Sequence, residues 1–471
     1  MHQAVLSVWD DDACARVHDR TLTLLEQTGV EMKLERAREL CAARGARVQE
    51  RRVRFPAELV EWALAAAPRT WELRPRGGDT TPLELAQGRT WYGSGPDCLY
   101  VADPSTHERR RARLDDVTRF AAVAERLPDL DFVMSMGLPE DADNDRIDVQ
   151  QLAAMLRGTR KPIVVSSPFG GTSLYTMSEM AAACGEAGSL ACLAMSSPPL
   201  MLDEVACDKA MACADLRMPL VLAASVSAGL QGPASLASVV VVANAEVLAG
   251  LVVHQLARPG APFVFGVGSG VPNMSTFVDV YNAPGVFLAN QAHLDLVRRY
   301  GLPSWSYAGH SDSKALDEQW SLELGISTIL GALSRATLLH DVGYLESGLQ
   351  SALEGMVLGD EVARYARAFA SPVGLEDDDL ALDEIQAAGP GGNHLATRMT
   401  RARHRGFWRP SLLDQHTHDR WAASGSTTLL DRVRARLNDL LAEPSAFTLD
   451  AGAAALLDDV AGTNDRRKEH G

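Results

Sequence analysis

The segment 219–225 reads PLVLAAS, the segment 262–268 reads PFVFGVG, and a long apolar helical pattern over 234–257 lies between them. Strand, helix and strand in this order form a βαβ unit, whose two strands run parallel. A serine closes the first strand and a glycine closes the second. The unit predicts a parallel sheet with helices packed on its outer side.

The same alternation extends along the chain in both directions. Six further strands are predicted at 90–94, 131–137, 162–167, 191–196, 303–307 and 336–341, with helices at 115–126, 148–157, 175–187, 203–216, 284–300, 316–334 and 354–370. Eight tilted parallel strands enclose an interior that side chains just fill, so eight β/α units favour a closed barrel. The predicted fold class is α/β, a (β/α)8 TIM barrel with N-terminal and C-terminal helical extensions.

An open, doubly wound sheet is the competing topology. It is disfavoured because no GxGxxG turn follows an early strand, and the glycines at 266–270 do not open a helix. One extra hairpin is predicted within the first β/α connection, with Cys98–Ala102 against Glu108–Arg113.

Three sections are predicted along the chain. Residues 1–89 form an N-terminal helical section, with two helices separated at Thr28-Gly29 and a third between Phe55-Pro56 and Ala67-Pro68. Residues 90–350 form the barrel. Residues 351–471 form a C-terminal helical extension that ends in a polar tail from Asn464, which we expect to be disordered.

The composition excludes several classes of partner. The chain has 471 residues, 46% of them hydrophobic, and a net charge of −16, so its field repels nucleic acids and anionic membranes. Its seven cysteines form no CxxC pair and its first residues lack a signal-peptide pattern, which predicts a reduced, cytoplasmic protein. The longest apolar stretch, 239–253, is too short to span a bilayer and predicts a buried helix.

Aromatic, histidine and carboxylate residues follow the last two predicted strands. Since chemistry in a barrel lies at the carboxyl ends of the strands, this is where we expect the site. Aromatic faces near carboxylates suit a quaternary ammonium group, which rings attract without hydrogen bonds. The predicted substrate-binding residues are Phe265, Trp305, Tyr307, His310, Asp312, Tyr344 and Glu346, with further faces from Phe263, Phe277 and Tyr281. We expect Tyr307, His310 and Glu346 to share one cavity.

A metal-assisted hydrolase or lyase is the alternative use of such residues. His310, Asp312, His340 and Asp341 are the candidate ligands near the strand ends, but none of them belongs to an HxH or HExxH motif. The HxH at His416-Thr417-His418 lies in the C-terminal section, where solvated surface histidines are expected. We therefore expect no tightly bound metal. A GxSxG nucleophile motif is also absent from the sequence, and no catalytic residue is assigned.

Several dispersed motifs, in the same order along nearly the whole chain, resemble the trimethylamine:corrinoid methyltransferase family. They are LLEQTGV at 24–30, GARV at 45–48, FPAELV at 55–60, WYGSGP at 91–96, NAEVLAG at 244–250, QLARPGAP at 255–262, SDSK at 311–314 followed by Asp317 and Gln319, GYLES at 343–347 and GPGG at 389–392. The resemblance implies a barrel that binds a methylated amine in its central cavity. It also implies a corrinoid (cobalamin) carried by a separate partner protein docked over the barrel mouth.

The founding trimethylamine enzymes of that family carry pyrrolysine, whereas this chain contains only standard residues. Family members without pyrrolysine resemble demethylases of quaternary amines such as glycine betaine. The expected function is methyl transfer from a quaternary or tertiary methylamine, betaine-like, to the Co(I) of a corrinoid protein. We also expect a homo-oligomer. Two other functions stay open, a barrel enzyme of different chemistry and a non-catalytic methylamine-binding homologue.

Overall fold

Eight parallel strands form a closed ring in the computed structural model, which describes residues 4–77, 81–460 and 462. The strands are β1 (Trp91–Tyr92), β2 (two bridging residues, 132–133), β3 (Ile163–Ser166), β4 (Leu190–Met195), β5 (Leu220–Ala224), β6 (Phe263–Val267), β7 (Ser304–Tyr307) and β8 (Leu338–His340). Pairing runs unbroken from β3 to β8, and β8 pairs with β1. Parallel bridges from Gly93 to Phe132 and from Val133 to Ile163 close the ring. The predicted barrel is confirmed.

A helix follows each strand and packs outside the ring. These helices are α1 (Leu114–Glu125), α2 (Ile147–Gly158), α3 (Gly171–Ala183), α4 (Glu204–Leu216), α5 (Leu236–Ala257), α6 (Pro284–Tyr300), α7 (Glu318–Ser334) and α8 (Leu353–Ala370). Aspartates cap two of them, because Asp203 accepts the Ala206 N–H at the start of α4 and Asp317 accepts the Trp320 N–H at the start of α7. All eight lie within a few residues of the predicted positions.

Alternate residues of each strand fill the barrel interior or face the helices. Inside, Trp305 packs with Phe132, Val264 and Leu338 in one apolar cluster. A hairpin of Thr70–Leu73 and Leu83–Ala86 adds Leu73, Leu83 and Leu85 to this cluster. The hairpin therefore covers the amino-terminal end of the barrel and leaves the carboxyl end for the site.

The N-terminal section is helical only in part. It contains the predicted helices, here Asp11–Gln27, Glu35–Ala42 and Ala57–Ala66, and also a small sheet of Val30–Met32, Arg52–Arg54 and Arg47–Gln49 joined by Met201–Leu202. Three-residue strands are too short to show an alternating pattern. Their stability comes from pairing with a distant segment, which local sequence does not show.

Helix α5 is long and apolar enough to cross a membrane, with a mean hydropathy of 2.2, but 72% of that stretch is buried inside the protein. It lies between the barrel and the N-terminal helices, packing on Asp11–Gln27 and Ala57–Ala66. The prediction of a buried helix agrees with this placement.

The predicted hairpin forms between Tyr100–Ala102 and Arg109–Arg111, and joins Gln350–Ser351 and Tyr344–Leu345 in one sheet. After α8 the chain forms helices at Asp377–Leu380, Leu382–Ala388, Arg398–Arg403, His418–Ala423, Leu429–Ala442 and Ala451–Val460. The tail expected to be disordered, from Asn464, lies outside the described residues.

Candidate functional site

Two ring side chains face each other where β7 and β8 end. Tyr307 and His340 are register partners on the neighbouring strands, and their ring centroids lie 5.2 Å apart in an edge-on arrangement. Trp305, two residues earlier on β7, stacks on His340 at 4.3 Å. The top layer of the barrel interior is therefore aromatic on this side.

Two further rings come from the loops beyond these strands. Tyr281, between β6 and α6, stacks on Tyr307 with centroids 5.8 Å apart and an interplanar angle of 16°. The His310 ring stands nearly perpendicular to both, 5.6 Å from Tyr281 and 6.0 Å from Tyr307. These five residues, Trp305, Tyr307, His340, Tyr281 and His310, are called the aromatic cluster below.

His310 is fully buried and retains one nitrogen without a partner. With the Asn282 amide as placed, Nδ2 of Asn282 donates to His310 Nδ1 over 3.1 Å, which leaves the ring proton on Nε2. Nε2 has no hydrogen-bond partner. Burial lowers the pKa of His310 to about 4, against the opposing effect of nearby carboxylates, so the ring is a neutral donor at physiological pH.

Asp341 is a buried carboxylate held in an unusual backbone conformation. It is 2% exposed and has a φ of +77°, which costs energy for a residue other than glycine. Its Oδ1 lies 2.5 Å from His340 Nδ1, yet the two atoms lack the alignment of a hydrogen bond, and Oδ1 has no other partner. An unsatisfied buried group in a strained conformation at a barrel strand end indicates a functional residue.

The electrostatic influence of Asp341 reaches the tyrosines of the cluster. Burial, and then the Asp341 charge, raises the pKa of both Tyr281 and Tyr307 well above the usual range. Both phenols therefore stay neutral at physiological pH. Their rings offer faces to a cation while Asp341 supplies the negative charge.

Asp312, a predicted binding residue, serves the loop that carries Tyr281. Its carboxylate accepts the backbone N–H groups of Tyr281 and Asn282, each over 2.9 Å, and the Ser347 hydroxyl over 2.8 Å. Asp312 is therefore a positioning residue in this structure, because its oxygens are used in holding two loops together.

Tyr344 has a similar structural role. Its hydroxyl donates to the Pro96 carbonyl, and its ring and Asp341 Oδ1 both occupy the space where a Cβ at position 95 would lie. Only glycine at position 95 allows this approach. Tyr344 therefore borders Asp341 but is not among the stacked rings.

Two predicted binding residues point elsewhere. Phe265 faces the helices, packing against His293 and Tyr300 of α6, because it alternates with the inward-facing Val264. The Glu346 carboxylate forms a two-bond pair with Arg109 of the hairpin, at 2.8 and 3.1 Å. The expectation that Glu346 shares a cavity with Tyr307 and His310 is wrong. The rings of Tyr307 and His310 are in contact, whereas the Glu346 carboxylate is bound to Arg109.

Sequence reasoning left three residues out of the binding set. The sequence predicts Tyr281 as an additional ring face, and His340 and Asp341 as part of the strand-end segment and as candidate metal ligands. Their position is the signal that identifies them, because His340 and Asp341 close the last barrel strand. Among the residues that the structure describes, no group of three or more His, Cys, Asp or Glu side chains is arranged to hold a metal ion.

A cavity of about 770 Å³ lies away from this cluster, at the amino-terminal end of the barrel. It is lined by residues of the hairpin at the amino-terminal end, Thr70–Leu73 and Leu83–Ala86, and of the starts of β4 and β5. Among them are Trp71, Glu84, Leu190 and Pro219. Barrel enzymes carry their chemistry at the opposite, carboxyl face. The aromatic cluster is therefore the better candidate site.

Comparison with solved structures supports the fold. The crystal structure of the Methanosarcina barkeri monomethylamine methyltransferase (MtmB) aligns with 92% of this chain and 88% of its own, with a TM-score of 0.54 and 12% identity. At that identity the likeness concerns the fold alone.

Comparison with known sequences is more specific. The chain is 30% identical over 455 residues to a glycine betaine methyltransferase of Desulfitobacterium hafniense, covering 94% of each chain. It is 27% identical over 465 residues to the trimethylamine methyltransferase MttB of Methanosarcina barkeri, covering 95% of this chain and 92% of that one. The family model described as trimethylamine methyltransferase (MTTB) matches residues 1–471. The chain therefore belongs to the trimethylamine methyltransferase family.

Proposed function

We propose that this protein transfers a methyl group from a quaternary methylamine to a reduced corrinoid bound to a separate protein. The observation that carries the proposal is the aromatic cluster at the barrel mouth beside the buried carboxylate of Asp341, which lies against His340 but makes no hydrogen bond. A quaternary ammonium has no N–H to donate, so ring faces and a nearby negative charge are what recognises it.

The electron balance explains why few acid–base groups are needed. The N–C bond of the ammonium breaks and its electron pair stays on nitrogen, so the leaving group is a neutral tertiary amine that requires no proton. The reduced corrinoid, a co-substrate, supplies the electron pair for the new bond to carbon. Catalysis by the protein is then alignment of the methyl group and exclusion of water.

Each residue of the site has a role in this scheme. The rings of Tyr281 and Tyr307 bind the ammonium, and Asp341 stabilises its charge in a buried setting where such an interaction is strong. Asp312 fixes the loop that positions Tyr281. The neutral Nε2–H of His310 is free to donate to an oxygen atom of the substrate.

The loops around the barrel mouth support a protein partner. Large apolar side chains are exposed on three of the β/α connections, and they are Phe169 after β3, Leu230 after β5, and Met274, Phe277 and Val278 after β6. Phe277 alone is 71% exposed. Exposed apolar groups gathered at one face are typical of an interaction surface. We assign this face to the corrinoid protein.

The remaining predictions are part of the same proposal. A relative named glycine betaine methyltransferase supports a quaternary amine as the methyl donor. We propose that the protein acts in the cytoplasm, where its seven free cysteines stay reduced, and that it forms a homo-oligomer.

The test mixes the purified protein, chemically reduced cobalamin and one amine at a time, and follows formation of methylcobalamin by absorbance. The amines are choline, glycine betaine, carnitine and trimethylamine. Formation of methylcobalamin with a quaternary amine supports the proposal. If none of the amines reacts while a known methyltransferase works under the same conditions, the proposal is wrong, and a bound amine that stays intact would indicate a non-catalytic homologue.

A further inference from the structure

The charges around the aromatic cluster narrow the substrate further. We infer that the site selects a methylated ammonium of net positive charge, an N-methylated amino alcohol, over a zwitterionic betaine. This inference rests on the proposed function, since it concerns the charge of the amine that the same site binds. It departs from the sequence-based expectation of a betaine.

Carboxylates surround the cluster. Asp341 contacts His340 of the cluster, Asp312 holds the loop that carries Tyr281, and Asp279 is two residues before Tyr281 on that loop. The side chain of Asp279 is exposed, and its Oδ1 lies 3.1 Å from where a Cβ on Gly270 would be, next to the end of β6. The charges of Asp341 and Asp279 both add to the effect of burial in raising the pKa of Tyr307. Asp279 and Asp312 add to the negative charge of Asp341 in this region.

Basic side chains near the mouth are bound to other groups. Arg109 is paired with Glu346, and Arg111 lies over the ring of Tyr100 at 4.7 Å. Lys314 donates to the Asp312 carbonyl over 2.7 Å and is exposed. Across residues 4–77, 81–460 and 462, no recorded contact places a lysine or arginine against the aromatic cluster.

A substrate carboxylate therefore lacks a charged partner at this site. His310 Nε2, which is buried and neutral, is a donor at the rings without a hydrogen-bond partner, and the buried ring nitrogens of His340 also lack hydrogen-bond partners. A neutral donor suits a hydroxyl oxygen, whereas a buried carboxylate needs charged or multiple donors to offset its loss of hydration. Negative surroundings would also repel it. The ammonium and the hydroxyl of an amino alcohol match the rings with Asp341 and the His310 donor, respectively.

The test compares three probes of similar size by isothermal titration calorimetry on the full chain. Choline carries the cation and a hydroxyl, glycine betaine adds a carboxylate, and 3,3-dimethyl-1-butanol has the shape of choline without charge. We expect choline to bind at least about tenfold more tightly than either of the others, a difference of about 1.4 kcal/mol. Glycine betaine binding as tightly as choline, or more tightly, overturns the inference.

A matched pair of variants assigns the preference to the site. Asp341→Asn removes one charge at nearly constant shape. It should weaken the binding of choline about tenfold and change the affinity for the neutral alcohol less than about threefold. Glu346→Gln removes a carboxylate that is paired with Arg109 and should leave all three affinities unchanged. Equal losses for choline and the neutral alcohol in Asp341→Asn would mean that Asp341 acts on shape and would overturn the inference.

The two proposals fail in distinguishable ways. Methyl transfer from glycine betaine with tight betaine binding contradicts the charge preference and leaves the methyltransferase proposal standing. Tight binding of choline, with no methyl transfer from choline or from any of the other amines, contradicts the methyltransferase proposal and leaves the preference for a cation standing. Absence of choline binding contradicts the preference, and absence of methyl transfer from all four amines contradicts the methyltransferase proposal.

Discussion

Two aspartates at the carboxyl face of the barrel are equally buried, each 2% exposed, but differ in their hydrogen bonds. Asp148, in the first turn of α2, accepts the hydroxyls of Ser167 and Ser173 and the Val149 N–H. Asp341, after β8, has an oxygen without a hydrogen-bond partner. Depth of burial therefore does not distinguish these two carboxylates, whereas their hydrogen bonds do.

The polar groups around the two aspartates also differ in their hydrogen bonds. Around Asp148 the groups are serines that bond back to the carboxylate. Around Asp341 the ring nitrogens of His340 and Nε2 of His310 are also unpaired. Leaving buried polar atoms unpaired costs about 1–3 kcal/mol each, and a structure tolerates this where a ligand completes the bonds. The Asp148 side is a closed hydrogen-bond network, whereas the Asp341 side keeps polar atoms that the proposed ligand would contact.

The largest expected effect concerns His310 and pH. Its pKa is about 4 in the folded protein and about 6.5 when unfolded, so the folded state binds fewer protons between these values. The stability that the neutral ring contributes is fully present above pH 6.5 and is lost as the pH falls towards 4. At pH 4.5 the loss is about 2–3 kcal/mol.

Urea unfolding of the wild type and of His310→Gln, at pH 7 and at pH 4.5, measures this loss. All other groups titrate in both proteins. The change with pH of the difference in unfolding free energy between the wild type and the variant therefore reports on His310. We expect that difference to shift by about 2–3 kcal/mol in favour of the variant at pH 4.5. A difference that stays constant with pH would show that His310 is not held neutral by burial.

The second prediction compares the two aspartates directly. Asp148→Ala leaves two serine hydroxyls without their acceptor and should lower the free energy of unfolding by about 1–3 kcal/mol. Asp341→Asn should lower it little or not at all, because no hydrogen bond to its side chain is recorded and asparagine tolerates the positive φ well. Thermal unfolding of both variants measures this, and a loss in Asp341→Asn as large as in Asp148→Ala would remove the distinction.

The third prediction separates a binding ring from a supporting one. Tyr307→Leu removes a ring face but keeps apolar bulk, so choline binding should weaken by about 0.5–2 kcal/mol. Tyr344→Phe is the control, since it keeps the ring and removes only the hydroxyl that donates to Pro96. It should cost about 0.5–1.5 kcal/mol of stability without changing choline affinity. A reversed pattern would move the binding site from Tyr307 to Tyr344.

The order of strands and helices was predictable from the sequence because each β/α unit is a local pattern. The direction of side chains was not. Both faces of a parallel strand are buried, so FVFGV at Phe263–Val267 does not tell which residues face inward, and Phe265 was assigned to the wrong side. Position at the strand ends predicted proximity better, since Trp305, Tyr307 and His310, all predicted from that position, belong to one group of ring contacts.

Residues in the loops depended on pairing that sequence does not show. Tyr281 reaches the cluster because Asp312, 31 residues further on, accepts its backbone N–H. Glu346 leaves the cluster because Arg109, 237 residues earlier, pairs with it. Asp341 was visible as a strand-end carboxylate, but its unpaired oxygen is a property of the folded chain. Long-range hydrogen bonds thus decide which of the candidate residues form the site.

The smallest expected effect tests a carboxylate that is close to the site in sequence but paired at the surface. Glu346→Gln breaks the ion pair with Arg109. The side chain of Glu346 is 20% exposed and that of Arg109 is 40% exposed. Exposed pairs of this kind contribute about 0–1 kcal/mol, so we expect a change in unfolding free energy within that range and no change in choline affinity. The measurement is made in low and high salt, because an ion pair at the surface weakens with ionic strength. If Glu346→Gln weakened choline binding as much as Asp341→Asn does, the Glu346 carboxylate would belong to the site. Its ion pair with Arg109 would then not distinguish it from Asp341, whose carboxylate makes no hydrogen bond.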